Sequence, residues 1–327
     1  MKKRILTGDR PTESQLHLGT YVGSLKNRVE LQDEYDEFIM LADLHSLTTH
    51  AEKTEYIKGN IHELVLNYLA VGLDPKKVTF FVQSRTQIPQ IALILGMLTP
   101  LSVLERQPAL KEKLEQGSQL TYGLLGYPVL MAADILGPRA DLVPVGKDQK
   151  AHVEYARDIG QKFNALYGET LTIPQPLIGE GGTLVGTDGK QKMSKSLGNA
   201  IFLLDDEKMV KEKVMRMYTD PTRIHSTDPG HVEGNPVFIY HDLFNEKRGE
   251  VKELKERYQK GEVSDVEVKE KLARALNSFL TPIRETYTKL KVKKDLPKEI
   301  LETGNKKASK IIQETLFTMK SAMKLYV

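Results

Sequence analysis

Along the first half of the chain, apolar residues come in short continuous runs. Between the runs they recur every three or four positions. This alternation predicts strands interleaved with helices, and so a parallel sheet covered on both faces. Ile5-Leu6-Thr7 is the first run, Phe38-Ile39-Met40-Leu41-Ala42 the second and Val78 to Gln83 the third. Between the first two, the spacing of Leu18, Val22, Leu25, Val29 and Leu31 predicts a helix. After the second, Tyr56, Ile57, Ile61, Leu64, Val65, Tyr68 and Leu69 form one helical stripe, which Gly72 and Pro75 bring to an end. Asp43 and His45 follow the second strand, at the sheet end where open α/β folds expose ligand-facing groups.

From about 104 to 137 the pattern turns helical around Gly117, Gly123 and Gly126, as expected of an insertion that leaves the sheet and rejoins it. Leu142-Val143-Pro144-Val145 is the returning strand, and its proline argues for an edge or terminal position. Gly146-Lys147-Asp148-Gln149 then opens a helix running to about Leu166. Beyond Ser196 the chain is mostly helical, punctuated by Pro221, Pro229 and Pro236. The expected organisation is a Rossmann-like α/β catalytic domain over 1–200, a helical domain over 201–290 and a helical tail over 291–327.

Composition narrows the classes. A chain of 327 residues, 40% hydrophobic and 28% charged, can bury a sizeable core and divide into more than one domain. Its formal net charge of +3 does not by itself announce a nucleic-acid partner. From Lys291 onward there are nine lysines and four acidic residues, which suits a polyanion or an ordinary solvated helix face. The absence of cysteine excludes disulfides, thiolate metal sites and cysteine nucleophiles, and fits a reducing compartment; a cytoplasmic location is expected. Met1-Lys2-Lys3-Arg4 is basic like the start of a signal peptide, but Gly8-Asp9-Arg10 interrupts the apolar run that should follow. The apolar run from Ile91 to Leu98 is too short to span a bilayer, so no membrane role is expected.

The chemistry-bearing segments are polar loops. Lys192-Met193-Ser194-Lys195-Ser196, just after Gly186-Thr187-Asp188-Gly189, places two ammonium groups among small hydroxyl residues, a composition able to follow the charge of a polyphosphate. A second turn-rich segment, Gly8-Asp9-Arg10-Pro11-Thr12 followed by His17-Leu18-Gly19-Thr20, comes directly after the first strand. Two such loops suggest a nucleotide site. It is not a P-loop, since Gln191 follows Gly189-Lys190, and there is no Gly-x-Gly-x-x-Gly turn after the first strand. The histidines show no zinc spacing, and His45 with His50 lacks a carboxylate between them.

Taken together, these loops with Tyr127-Pro128-Val129-Leu130-Met131-Ala132-Ala133-Asp134-Ile135 and Val143-Pro144-Val145-Gly146-Lys147-Asp148-Gln149 stand in an order that resembles the tryptophanyl-tRNA synthetases, a family of class I aminoacyl-tRNA synthetases, over nearly the whole chain. The resemblance implies ATP and L-tryptophan as substrates, magnesium carried by the triphosphate, tRNA(Trp) as acceptor, an anticodon-binding role for 201–290 and a homodimer. It implies catalytic cations at Lys192, Lys195 and, from the inserted segment, Lys113. It implies an ATP site made by Arg10, Pro11, Thr12, His17, Gly19, Thr20, Gly146, Lys147 and Asp148 with the loop residues Lys192, Met193, Ser194, Lys195 and Ser196, and with Leu184 or Val185 near the base. For tryptophan it implies Asp134 as acceptor of the indole N–H, Tyr127 and Gln149 on the amino group, and Met131, Val143 and Val145 as apolar walls. The chain departs from the common family pattern in four places. Glu13-Ser14-Gln15 lengthens the first loop by one residue, Thr20 replaces the second signature histidine, Ala109 stands for glutamine, and Leu6 stands for phenylalanine. The nearest alternatives are a tyrosyl-tRNA synthetase and a non-catalytic nucleotide-binding paralogue.

Overall fold

The apolar runs pair into a five-stranded parallel sheet of β1 (Arg4–Asp9), β2 (Asp36–Leu41), β3 (Thr79–Val82), β4 (Leu142–Val145) and β5 (Gln175–Ile178), in the order β3-β2-β1-β4-β5. The computed structural model describes residues 2–115, 117, 119–146, 150–178, 182–225 and 227–326. Register pairs Leu6 with Phe38, Phe38 with Thr79, and Val143 with Pro176. β2 and β3 are buried along almost every residue, which is why they read as unbroken apolar runs. The helices are α1 (Leu18–Thr20), continued by a π-turn over Tyr21–Leu25 into α2 (Lys26–Leu31), then α3 (Asp43–His50), α4 (Ile57–Ala70), α5 (Ile88–Met97), α6 (Leu101–Glu105), α7 (Pro108–Glu115), α8 (Tyr122–Leu136), α9 (Lys150–Tyr167), α10 (Glu207–Met215), α11 (Pro236–Phe244), α12 (Arg248–Gln259), α13 (Asp265–Lys291) and α14 (Leu296–Ala322). Among the described residues, no helix is long and apolar enough to cross a membrane.

One strand sits elsewhere than its sequence suggests. Pro144 argues for an edge or terminal position, and of these the edge is excluded, since β4 lies between β1 and β5. Its pairing with β1 is confined to Ile5 and Leu142, so the missing proline N–H falls beyond that ladder and costs it no bond.

By contact the chain divides into two compact units, each assembled from separated stretches. The first comprises Met1–Ser14, Arg28–Glu180 and Lys293–Val327, the second Gln15–Asn27 and Gly181–Val292. In the first unit the sheet carries a core that includes Leu6, Phe38, Phe81, Ile91, Ala132, Ala133 and Val143, closed by Ile312 and Met319 of α14. α14 also covers the open side of the edge strand β3, where Asn305 Oδ1 accepts the Val82 N–H at 2.8 Å and Lys307 Nζ donates to Thr79 Oγ1 at 2.9 Å. An edge covered in this way offers no free N–H row to another chain.

In the second unit α10 to α13 pack around Val210, Val214, Phe238, Tyr240, Leu272 and Leu276. Ser264 caps α13 by accepting the Glu267 N–H at 3.2 Å. The buried Lys269 ammonium donates to Met217 O and Thr219 Oγ1, both at 2.7 Å, which satisfies backbone just past the end of α10.

The tightest approach in the first unit is that of Gly304 of α14 to β3, where a Cβ would lie 1.8 Å from Phe80 O. The backbone of β3, hydrogen-bonded to β2 on its other side, cannot yield that space. Gly304→Ala is therefore expected to lower stability by about 3 kcal/mol, the upper end of ordinary overpacking. Urea unfolding measures it, and a wild-type midpoint would refute the contact.

Candidate active site

The loop after β1 is held from beneath. Asp9, at the strand's end, receives two bonds from the Arg28 guanidinium, at 2.5 and 3.1 Å, and one from Tyr68 Oη at 2.5 Å. Burial opposes ionisation of Asp9, but Arg28 and Tyr68 outweigh it and hold the carboxyl below its usual range. Two asparagines of α4 then fix the loop's main chain: Asn60 Nδ2 donates to Pro11 O at 3.0 Å and Asn67 Nδ2 to Ser14 O at 3.2 Å. The lengthened segment at Glu13 and Ser14 is thus anchored, with Pro11 buried, Thr12 half-buried and Arg10 exposed.

A narrow polar site lies along α8. Tyr127, Met131 and Asp134 are spaced by four and three residues and so share one helix face. Asp134 is 2% exposed, and both its oxygens are engaged, Oδ2 by His45 Nε2 at 2.7 Å and Oδ1 by Gln83 Nε2 at 2.6 Å. Gln83 is itself steadied, since its Oε1 accepts the His45 backbone N–H at 3.3 Å. Burial pushes the Asp134 carboxyl up, and the bonds from His45 and Gln83 pull the other way. A carboxylate has about four lone-pair sites, so two donors leave it able to accept another N–H.

Tyr127 Oη is buried without a hydrogen-bond partner among the described residues. Burial, with help from Glu112 and against Arg10, pushes the phenol up to about 12. An orphaned hydroxyl of this kind is a place for a ligand's polar group. The Tyr127 ring stands edge-on to His45 and His152, with centroids 6.5 and 6.0 Å apart. Met131 and Val145 are half-buried, whereas Val143 and Leu6 belong to the core itself, 7% and 3% exposed. Lys113 is half-buried on α7.

In the second unit the histidine segment and the basic loop meet. His17 caps α1, its Nδ1 accepting the Thr20 N–H at 3.1 Å, which assigns the ring proton to Nε2. Burial and the neighbouring Lys192 both lower its pKa, keeping the imidazole neutral. Gly19 N–H points at Met193 Sδ at 3.2 Å, and a Cβ at Gly19 would come within 3.0 Å of His17 Nδ1 and 3.2 Å of Met193 Cβ. The crowding at Gly19 therefore comes first from the His17 ring and then from the basic loop's own methionine. Val185 and Lys192 form an antiparallel bridge, and Met193 N–H donates to Leu184 O at 2.9 Å. Leu184 and Met193 are buried, Val185 is half-buried with its carbonyl accepting from Tyr240 Oη at 2.7 Å, and Lys192, Lys195 and Ser196 are exposed. Ser194 Oγ and Ser196 Oγ are 2.9 Å apart.

The first unit thus brings together Arg10, Tyr127, Met131 and Asp134, and the second brings together His17, Gly19, Thr20, Leu184, Val185 and the loop 192–196. Gly146 is exposed at the end of β4, while Lys147, Asp148 and Gln149 lie outside the described residues. Sequence reasoning missed Gln83, which has a signal in being the first residue past β3 at the sheet's carboxyl end. It also passed over His45 as an Asp134 partner, and over Asn60 and Asn67, whose partners are about fifty positions away.

Residues 1–281 match the family described as tRNA synthetases class I (W and Y). The chain is 49% identical over 327 residues to the tryptophan–tRNA ligase of Treponema pallidum, covering 98% of this chain and 97% of that one. It is 48% identical over 333 residues to the tryptophan–tRNA ligase of Borreliella burgdorferi, covering 99% and 95%. Among solved structures, the tryptophanyl-tRNA synthetase of Campylobacter jejuni complexed with ADP and tryptophan superposes with a TM-score of 0.89 at 38% identity, covering 98% of this chain and all of that one.

Because the Gln83 amide supports the ionised form of Asp134, its worth depends on pH. Gln83→Ala is expected to cost about 2 kcal/mol of stability at pH 7.5, the worth of a hydrogen bond to a charged group. The cost shrinks as pH falls through the raised Asp134 pKa and the carboxyl becomes neutral. Urea unfolding at both ends of the range checks this, and an equal cost at every pH would contradict it.

Proposed function

The chain belongs to the class I tRNA synthetases that serve tryptophan and tyrosine, and from that premise we propose that it joins tryptophan to tRNA(Trp). In the first step the tryptophan carboxylate attacks the α-phosphorus of ATP and pyrophosphate leaves, forming tryptophanyl-adenylate. In the second, the 2′-hydroxyl of the terminal adenosine of the tRNA attacks the activated carbonyl and AMP leaves. Phosphoryl transfer of this kind needs positioning and positive charge more than covalent help from the protein. Lys192 and Lys195 supply that charge on the basic loop, with Lys113 as a third cation. Neutral His17 offers its Nε2 proton to the nucleotide, with Gly19 and Thr20 beside it, and Arg10, Pro11 and Thr12 are the first unit's residues for ATP. Gly146, Lys147 and Asp148 serve the ribose and adenine side. Mg2+ would be carried by the triphosphate rather than by a protein cage, and would neutralise part of its charge.

What supports tryptophan over tyrosine is the buried Asp134 carboxylate, held for one more N–H donor by His45 and Gln83. Tyr127, with its unpartnered hydroxyl, and Gln149 take the substrate's amino group, and Met131, Val143 and Val145 form the walls. The helical region 201–290 is the tRNA-facing part, and the protein works in the cytoplasm. It is a homodimer. Leu93, Met97, Leu101 and Tyr122, on α5, α6 and α8, are more than half exposed in the single chain, and a symmetric partner would cover them.

The decisive experiment is amino-acid-dependent exchange of pyrophosphate into ATP. Exchange with tryptophan and little with tyrosine is expected; the reverse would make the protein tyrosine-specific, and none with either would make it a binding paralogue. In the same assay Lys195→Ala should slow exchange by about 10²–10³ with tryptophan binding nearly unchanged, since its charge acts on the transition state. Sedimentation at micromolar concentration should show a dimer, and a monomer alone would remove the proposed partner.

A further inference from the structure

The amide of Asn199 occupies an unusual place behind the basic loop. It is 3% exposed and makes three side-chain bonds. Its Oδ1 accepts the Ser194 N–H at 2.8 Å, and its Nδ2 donates to Asp188 Oδ2 at 3.1 Å and to Lys192 O at 3.3 Å. Its main-chain oxygen accepts the Thr187 N–H at 3.0 Å. The fit is close enough that a Cβ on Gly186 would fall 2.2 Å from Nδ2. Asp188 is prepared for this bond, for its other oxygen receives the Lys190 N–H at 3.1 Å, and that amide is the main cause of its lowered pKa.

These bonds divide the loop in two. Lys192, Met193 and Ser194 are fastened through their main chain, to Asn199 and to Leu184. Lys195 to Gly198 are exposed and form a turn closed by the Gly198 N–H on Lys195 O at 3.0 Å. We propose that Asn199 is a positioning residue that pins the stem carrying Lys192 at a fixed height and makes residue 194 the hinge about which the Lys195 turn moves. The idea deepens the proposed function and rests on it. A fixed stem removes from the activation step the entropy of ordering Lys192, and confines the motion that follows the triphosphate to four exposed residues.

Asn199→Asp isolates the effect. It keeps the shape and the acceptor for Ser194, but sets a second carboxylate against Asp188 and removes the donor to Lys192 O. In the full-length protein, the maximal rate of tryptophan-dependent pyrophosphate exchange should fall by about 10- to 100-fold while the KM for tryptophan stays within about twofold. Trypsin should cut native protein after Lys192 or Lys195 about tenfold faster, as expected when the fastened state loses a bond to a charged group. Adding Asp188→Asn restores a donor and acceptor across the pair and should recover a large part of both changes.

Wild-type exchange and cleavage rates in Asn199→Asp, or a double variant no better than the single one, would overturn the proposal. If Asn199→Asp does not fold, Asp188→Ala on the exposed side of the pair takes its place, with faster cleavage and slower exchange expected and wild-type values overturning it. If the wild-type protein exchanges pyrophosphate with no amino acid, the functional reading fails, and the cleavage rates still judge the clamp.

Discussion

A carboxylate buried beside apolar side chains is costly unless donors surround it, and the organisation of the first unit follows from how Asp134 is supplied with them. One donor, His45, lies in the first turn of the helix after β2. The other, Gln83, begins the turn after β3. Asp134 itself sits on α8, which returns the chain to the sheet. Three crossovers of a parallel sheet must be in register before the two bonds to Asp134 can form. The packing of β2 against β3, with Phe38 on Thr79 and Leu41 on Val82, is what sets that register. The core therefore does more than stabilise the fold: it fixes a charge where water cannot reach it.

The second unit sets two exposed lysines on a firm base under an exposed turn. The stem from Leu184 to Met193 is a short antiparallel pairing, and Met193 is buried against Gly19 beside the neutral His17. Lys192 and Lys195 stay exposed. Burial, and after it the proximity of Lys192, lowers the His17 pKa, so a single donor from His17 and the Lys192 ammonium share one small region.

Much of the fold was legible because buried parallel strands must be apolar on both faces. β1 to β4 and the stripe of α4 appear in the sequence within a residue or two of their observed bounds. β5 was not, because Gln175-Pro176-Leu177-Ile178 holds only two consecutive apolar side chains and is exposed at both ends. The position of β4 was misjudged through Pro144, since sequence alone does not say how far a ladder extends. Nor does it show that Gln15–Asn27 leaves the first unit or that the last helix returns to it, because both depend on contacts made hundreds of positions away. In the candidate site, the motif residues could be put forward from type and order, but the residues that hold them could not. Gln83 and Asp134 are 51 positions apart, His45 and Asp134 are 89 apart, and a hydrogen bond between distant polar residues leaves no periodic trace. Asn199 was equally silent: nothing about an asparagine after a glycine distinguishes a clamp from a turn.

The central claim is that a buried acceptor, rather than the shape of an apolar slot, selects the substrate. The direct measurement is kcat/KM of activation for tryptophan against its isostere in which sulfur replaces the indole N–H. A site built on a hydrogen bond should reject the isostere by roughly 10⁴, because binding it would leave the Asp134 carboxylate desolvated and facing sulfur. Equal use of the two compounds would contradict the account.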